Sequence, residues 1–204
     1  MDAATQAKLQ AAATKVAEAK KELADVYRDA AQMAVPDVDL LATDGSTVTL
    51  SSLFGDQSDL IIVHNMGRSC RWCTLWADGF RGITDHLNSR AAFALLTPDA
   101  PADAKAFAAS RGWTFPIASY ADSALAHTLG FEPTPGTYYP GFSALHKNED
   151  GTITRTGMSH FGPGDDYCPV WPMFDQLKDG QNKWEPQFAY GETGGCCGGT
   201  GCCS

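Results

Sequence analysis

The feature that most constrains the fold is a buried-strand pattern followed closely by a cysteine pair and a helix pattern. Residues 60–64 read LIIVH, a continuous apolar run of strand length, which is typical of a strand covered on both faces. Cys70 and Cys73 come next, separated by Arg71 and Trp72. Apolar side chains then recur at helical spacing, at Trp76, Phe80, Ile83 and Leu87. The sequence therefore predicts that both sulfurs lie at a strand–helix junction.

Strand patterns alternate with helix patterns over residues 36–160. Asp44 and Gly45 predict a hairpin turn, and residues 92–96 (AFALL) and 115–119 (FPIAS) predict strands. Between those strands, residues 101–112 predict a helix. Residues 141–157 predict a second hairpin, with NEDG as its turn. This order predicts an α/β fold in which helices flank a mixed sheet that is partly parallel and has an antiparallel edge.

The N-terminus predicts one long helix over residues 3–33, closed by Pro36. Its apolar residues alternate in steps of three and four, as in a heptad repeat: Leu9, Ala12, Val16, Ala19, Leu23, Val26, Ala30 and Met33. We favour a helix that packs on its own domain. The alternative is the seam of a homodimer, which would be thin because three of the eight stripe residues are alanine.

Composition narrows the class of protein. Hydrophobic residues make up 44% and charged residues 19% of 204 residues, the balance of a soluble globular protein. The net charge of −9 argues against nucleic acid and anionic membranes as partners. Because we find neither a signal-peptide pattern nor a membrane-spanning apolar run, we expect a cytoplasmic protein. Seven cysteines in a reducing compartment indicate chemistry or metal binding more than structural disulfides.

The CxxC pair has the context of a redox centre. At the start of a helix, free N–H groups and the dipole favour a thiolate at Cys70, and Arg68 and Arg71 add positive charge. Cys70 would then be the nucleophile and Cys73 the resolving thiol, with Asp78 as a candidate proton acceptor for Cys73. Two alternatives stay open: a pair of inert buried thiols, and half of a zinc site, although the sequence has no second CxxC.

The order of elements around CRWCTLWADGF resembles the thioredoxin-like superfamily. Together with RGWTFPIAS and WPMFDQL, this motif is similar to a bacterial thioredoxin-like family of unknown function, from about Leu23 to Tyr190. The resemblance implies the fold and a redox role, and it matches Pro140 to the cis-proline that faces the CxxC in that superfamily. The Gly-Pro dipeptide of thioredoxin is replaced here by Arg71-Trp72, which implies a different substrate or electron donor.

The peroxiredoxin signature Pro-x-x-x-Thr-x-x-Cys is absent at both cysteines. Val63 and Gly67 stand at its proline and threonine positions before Cys70, and Met66 and Cys70 stand there before Cys73. This absence counts against peroxidase chemistry of the peroxiredoxin type.

The last fourteen residues, 191–204, are expected to form a flexible tail rich in glycine and cysteine. We therefore divide the chain into a helical extension (1–35), a thioredoxin-like domain (36–190) and this tail. The tail holds two vicinal thiol pairs: Cys196, Cys197, Cys202 and Cys203. Four converging thiolates would select a soft metal such as Cu(I) or Zn(II). The pairs also resemble the cysteine tails of mercuric reductase and the large thioredoxin reductases, which implies a shuttle for electrons or soft metal ions. The plainer alternative is a tail without a role.

The sequence thus predicts a thioredoxin-like thiol–disulfide oxidoreductase acting through Cys70 and Cys73, with Pro140 shaping the substrate groove. Its substrate would be a thiol or disulfide, on a protein or a small molecule, and no cofactor would be required. The alternative function is soft-metal binding or detoxification by the tail cysteines. A third is a scaffold without redox activity that binds partners through the N-terminal helix.

Overall fold

The computed structural model describes residues 1–190. Its strands are β1 (Met33–Val35), β2 (Asp39–Ala42), β3 (Thr47–Thr49), β4 (Asp59–His64), β5 (Ala92–Thr97), β6 (Ile117–Ser119), β7 (Gly141–Lys147) and β8 (Ile153–His160). Its α-helices are α1 (Ala3–Ala31), α2 (Arg71–Arg81), α3 (Thr84–Asn88), α4 (Pro101–Arg111), α5 (Leu125–Thr128) and α6 (Val170–Phe174). A 3₁₀-helix covers Leu50–Phe54.

The strands form one mixed sheet in the order β1-β8-β7-β4-β5-β6-β2-β3. Strand β4 lies in the middle, parallel to β5 and antiparallel to β7. The two predicted hairpins, β2–β3 and β7–β8, are present and antiparallel. The predicted α/β fold, a thioredoxin-like mixed sheet flanked by helices, is confirmed.

Both faces of the central strands are covered, as the continuous apolar runs predicted. In β4, Leu60 and Ile62 face one hydrophobic core while Val63 faces the other. Helices α2 and α4 cover the second core through Trp76, Ala104 and neighbouring side chains. Each large aliphatic side chain buried in this way stabilises the fold by about 1.5–3 kcal/mol. The buried run therefore fixes β4, and β4 fixes where the cysteine loop begins.

Helix α1 packs on the sheet only at its C-terminal end. Ala31 is its one buried residue, and every residue from Ala3 to Ala24 is exposed. The buried guanidinium of Arg155 in β8 donates to the carbonyl of Ala31 and, from a second nitrogen, to the carbonyl of Leu129 after α5. Our favoured interpretation, a helix packed on its own domain, therefore holds only for the C-terminal part of α1.

Two predicted helix boundaries differ from the structure. Helix α1 ends at Ala31, because Met33–Val35 leaves the helix to pair with β8 as strand β1. The single helix predicted after the cysteines breaks into α2 and α3 at Gly82, and Ile83 is exposed there. In both places a heptad-like or helical spacing continued past the point where sheet pairing or glycine ended the helix.

No helix among residues 1–190 has the length and apolar character needed to cross a bilayer. Residues 191–204, with Cys196, Cys197, Cys202 and Cys203, lie outside the described residues. The tail and the three-part division of the chain stay predictions.

Candidate active site

The cysteine pair lies just beyond the C-terminal end of β4. Residues 65–69 form the connecting loop, and buried Asn65 continues the sheet because its N–H donates to the Leu96 carbonyl at 2.9 Å. The Asn65 side chain then accepts from the Gly67 N–H at 2.7 Å. Tyr120, which follows β6, donates its hydroxyl to the Asn65 carbonyl at 2.8 Å. Contacts from two neighbouring strands thus fix the start of the loop.

A carboxylate after β5 fixes the middle of the same loop. Asp99 accepts from the Arg68 N–H and from the Thr97 hydroxyl, each at 2.8 Å. Gly67 beside it has a φ of +102°, where a side chain is strained, and an added Cβ would lie 3.2 Å from Asp99 Oδ1. Glycine is therefore required by both conformation and space at this turn.

Cys70 is the N-cap of α2. Its Sγ accepts from the Cys73 N–H at 3.1 Å, so the sulfur occupies the position of an N-cap acceptor. Its carbonyl accepts from the Thr74 N–H and from the Thr74 hydroxyl, at 3.1 and 3.0 Å. The Cys70 side chain is half-buried and is a free thiol. The sulfur is therefore partly accessible and is directed at the free N–H groups of a helix start.

Cys73 lies one turn further into α2 and is buried, with 3% of its surface exposed. Its Sγ accepts from the Met66 N–H at 3.4 Å. Both cysteines are free thiols, and Cys70 is the more accessible of the two. This difference matches the roles that the sequence predicts for them, an attacking outer thiol and a resolving inner one.

The two thiols have opposite pKa shifts. The hydrogen bond from the Cys73 thiol is the largest influence on Cys70, and the Cys73 and Trp72 N–H groups add to it, so the pKa of Cys70 falls from 9.0 to about 7 despite partial burial. The same hydrogen bond, followed by burial, raises the pKa of Cys73 strongly. Near neutral pH, Cys70 is thus partly ionised, whereas Cys73 keeps its proton.

The arginines contribute less to the thiolate than the sequence suggested. Arg68 lies 3.2 Å from a carboxylate oxygen of Asp103, and Arg71 forms an ion pair with Glu185. Neither guanidinium is among the causes of the Cys70 pKa shift. The thiolate is stabilised by local hydrogen bonds, because the nearby positive charges are already paired with carboxylates.

The C-terminal segment, defined here as residues 165–190, packs against the two residues between the cysteines. Trp72 stacks on Trp171 at 5.9 Å between ring centroids and meets Trp184 edge-on at 6.4 Å. Glu185 pairs with Arg71. Asp165 begins the segment by accepting from Trp76 Nε1 at 2.9 Å. The dipeptide Arg71-Trp72 between the cysteines therefore binds the chain's own C-terminal segment.

Pro140 lies at the same edge of the sheet as the cysteine loop. Strand β7 begins directly after it, and Gly141 pairs with His64, the last residue of β4. The Pro140 carbonyl accepts from the Phe161 N–H at 2.9 Å. The Tyr139–Pro140 peptide bond is trans, since residues 1–190 contain no cis peptide bond. Pro140 therefore lies at this edge with a trans peptide bond, and its role in shaping a substrate groove stays a prediction.

Two other sequence-based candidates lie elsewhere. Asp78 accepts from Trp113 Nε1 at 2.8 Å and forms an ion pair with Arg111. It is engaged there and not with Cys73, so the proposed proton-acceptor role is wrong. Cys168 is buried among apolar side chains, as expected of a structural thiol, and burial raises its pKa.

The described part of the chain contains no candidate metal site. Among residues 1–190, no three His, Cys, Asp or Glu side chains are grouped in a way that could hold an ion. The zinc half-site at Cys70 and Cys73 therefore lacks its other ligands within that range. The tail cysteines lie beyond it.

A dithiol CxxC after the central strand of a mixed sheet, with helices on both faces, defines a protein of the thioredoxin-like class. The chain belongs to a family of bacterial proteins of unknown function, DUF899, whose model matches residues 2–192. No curated protein matches the sequence.

Solved structures show the same fold. A peroxidoxin, BcpB, from Mycobacterium tuberculosis is 20% identical, with a TM-score of 0.52 over 64% of this chain and 84% of its own. An uncharacterized conserved protein from Geobacillus kaustophilus is 16% identical, with a TM-score of 0.50 over 68% of this chain and 71% of its own. At these identities the likeness establishes the architecture.

Sequence reasoning missed the residues that contact the site from remote parts of the sequence. Asp99 and Tyr120 fix the loop, and Trp184 and Glu185 contact the dipeptide between the cysteines. The available signal was composition: the C-terminal segment is rich in aromatic residues, which seldom occur at such density in a solvated extension. That signal indicates that the segment is buried somewhere, without specifying where.

Proposed function

We propose that the chain is a thiol–disulfide oxidoreductase that acts through Cys70 and Cys73. The observation that carries the proposal is a half-buried thiol at a helix start, whose Sγ accepts from the Cys73 N–H at 3.1 Å and whose pKa is lowered to about 7, beside a buried free thiol whose pKa is raised. A nucleophile with a pKa near the ambient pH combines thiolate population with intrinsic reactivity. Two inert buried thiols would have raised pKa values, as Cys168 has.

The reaction follows from these roles. The Cys70 thiolate attacks one sulfur of a disulfide substrate, a mixed disulfide forms, and the other substrate sulfur leaves as a thiolate. Cys73 then loses its proton to that leaving thiolate or to solvent and attacks Cys70 Sγ. The Cys70–Cys73 disulfide forms and the second substrate thiol is released. Two protein thiols are oxidised for each disulfide reduced, and an external dithiol restores them.

Peroxide is the second oxidant to test, because the M. tuberculosis structure with this fold is titled a peroxidoxin. A peroxide would oxidise Cys70 to a sulfenic acid with release of an alcohol or water, and Cys73 would condense with it to give the same disulfide and a water molecule. Two observations favour disulfides: the peroxiredoxin signature is absent, and Arg68 and Arg71 are both paired with carboxylates.

The tail cysteines keep the two roles that the sequence suggests, electron relay to the CxxC or a soft-metal site. What supports either role is the spacing of Cys196, Cys197, Cys202 and Cys203. Deleting residues 191–204 tests these two roles of the tail independently of the chemistry at Cys70 and Cys73. Loss of bound Cu(I) or Zn(II) with unchanged disulfide reduction would favour the metal role, and slower turnover with the external donor would favour the relay.

We also propose that the protein works in a reducing compartment, the cytoplasm, where free thiols persist.

The decisive experiment measures the redox equilibrium of the pair by thiol trapping and mass spectrometry across glutathione buffers. The proposal expects a reversible Cys70–Cys73 disulfide with a midpoint within about −300 to −120 mV. Cys70→Ser should abolish reduction of oxidised glutathione and of hydrogen peroxide alike. Cys168→Ala is the matched control, since it removes a thiol outside the pair. Full activity in Cys70→Ser, or a pair that never forms a disulfide, would refute the proposal.

A further inference from the structure

Helix α1 carries an apolar stripe that nothing in the described part of the chain covers. Its side chains at Leu9, Val16, Leu23 and Val26 are 53–58% exposed. Helices in proteins are stabilised mainly by packing of an apolar face, and an isolated helix is marginal in water. An uncovered stripe along 29 residues therefore points to a partner that covers it.

The stripe has the spacing of a coiled-coil seam. Positions a of the heptad are Leu9, Val16, Leu23 and Ala30, and positions d within the helix are Ala12, Ala19 and Val26. Large residues occupy most a positions and small residues most d positions. In an antiparallel pair, a residues pack against d residues of the other helix. Such a pair would set large side chains against small ones and fill the seam that appears thin in a single helix.

The charges that flank the seam are divided between the two halves of the helix. The heptad positions g are Lys8, Lys15, Glu22 and Asp29, basic in the first half and acidic in the second. None of these four forms an ion pair within the described residues. Four charges of α1 away from this edge are paired within the chain: Lys21 and Arg28 with Asp25, and Lys20 with Asp166. The g edge therefore has charge available for a partner.

We infer that α1 pairs antiparallel with α1 of a second copy of this chain. In that arrangement g positions face g positions, so Lys15 lies beside Glu22 of the partner subunit and Lys8 beside Asp29 of the partner subunit. Each contact occurs twice by symmetry. The same alignment sets Ala12 against Leu23 of the partner subunit and Val16 against Ala19 of the partner subunit. A parallel pair would instead bring Lys15 beside Lys20 of the partner subunit.

The attachment of α1 to its domain permits this pairing. The helix meets its own domain only along its C-terminal part, from the Lys20–Asp166 ion pair to Ala31, and at about 1.5 Å per residue its 29 residues extend for roughly 43 Å. Antiparallel pairing therefore sets the two domains at opposite ends of the helix pair. Leu23 and Val26, near the helix's own domain, keep more than half of their surfaces exposed and available to the N-terminal half of the second copy.

Charge reversal tests both the dimer and its direction. Sedimentation of the full chain over micromolar to submillimolar concentrations should show twice the monomer mass of 21.8 kDa. Lys15→Glu should raise the dissociation constant roughly tenfold, because two attractive contacts become repulsive. Glu22→Lys should do the same, and the double variant should restore the dimer. A parallel pair predicts the opposite for Lys15→Glu, which would then face Lys20 and bind more tightly.

A matched control and a seam variant complete the test. Lys21→Glu makes the same change of charge as Lys15→Glu but on the side of α1 away from the seam, so it should leave the dimer intact. Val16→Glu charges an exposed seam residue, so the domain should fold and the dimer should dissociate. Circular dichroism verifies that every variant keeps its domain. A wild-type monomer at all concentrations, a dimer unaffected by Val16→Glu, or a double variant that stays dissociated would overturn the inference.

Discussion

Replacing Cys73 with alanine should change the reactivity of Cys70 in a direction that depends on pH. The thiol of Cys73 donates the hydrogen bond that most lowers the pKa of Cys70. Without it, the backbone N–H groups of Trp72 and Cys73 still lower the pKa while partial burial opposes them, so the pKa should rise from about 7 toward the ordinary 9.0. The midpoint of the alkylation rate against pH should move upward by the same amount.

The magnitude can be worked out for complete loss of the shift. At pH 7, a pKa of about 7 leaves half of Cys70 as thiolate, whereas the ordinary 9.0 leaves about one hundredth, a fall of roughly fiftyfold. Intrinsic nucleophilicity rises with pKa, with a Brønsted coefficient of about 0.4–0.5, which recovers roughly eightfold. Alkylation at pH 7 should therefore slow by about sixfold if the whole shift is lost, and above pH 9 it should become faster than in the unaltered protein.

Iodoacetamide alkylation followed by intact mass measures this in a background lacking residues 191–204. In Cys73→Ala the remaining thiols are Cys70 and Cys168, and Cys168 is buried. Cys73→Ser is the control, because its hydroxyl keeps a hydrogen-bond donor and should retain part of the shift. Rate profiles that cross between neutral and alkaline pH would support the hydrogen bond as the cause. An unmoved midpoint, or a rate changed equally at every pH, would refute it.

Three further substitutions test the supports of the site and fold. Gly67→Ala places a side chain at a φ of +102° and should cost about 1–3 kcal/mol in urea unfolding, whereas Gly157→Ala, where a Cβ meets only ordinary contact, should cost less. Trp184→Ala removes the edge contact with Trp72 and should speed both alkylation of Cys70 and proteolysis of the C-terminal segment. Arg155→Met leaves two buried carbonyls unpaired and should destabilise the protein by about 3 kcal/mol. Unchanged unfolding or alkylation in any of the three would contradict the role given to that residue.

The local parts of the site could be predicted because their signals are local. The apolar run at 60–64 and the helical spacing after Cys73 each specify one element, and the junction between them positions both cysteines. The N-cap role of Cys70 follows from the same junction, since a residue that precedes a helix directs its side chain at the first free N–H groups. Sequence reasoning therefore identified the position of the candidate nucleophile, Cys70, within the fold.

The longer-range parts could not be predicted from spacing. Trp72 meets Trp184 from more than a hundred positions away, and no periodic pattern encodes such a contact. Asp78 looked free to serve Cys73 until the fold placed Arg111 and Trp113 beside it. The same is true of strand β1, where pairing with β8 prevails over a heptad that runs on to Met33. Tertiary contacts outweigh local pattern at each of these points.

Ionic strength should separate the two electrostatic systems of this chain. The Cys70 thiolate depends on short hydrogen bonds at a helix start, and its neighbouring arginines are already paired, so its alkylation midpoint should change little with salt. The inferred α1 dimer depends in part on exposed ion pairs, which are screened as the Debye length falls from about 10 Å at 0.1 M salt to about 3 Å at 1 M. The dimer should therefore weaken over the range in which the midpoint stays constant. If the midpoint rose with salt as well, unpaired positive charge near Cys70 would have to replace hydrogen bonding as the main cause of its lowered pKa.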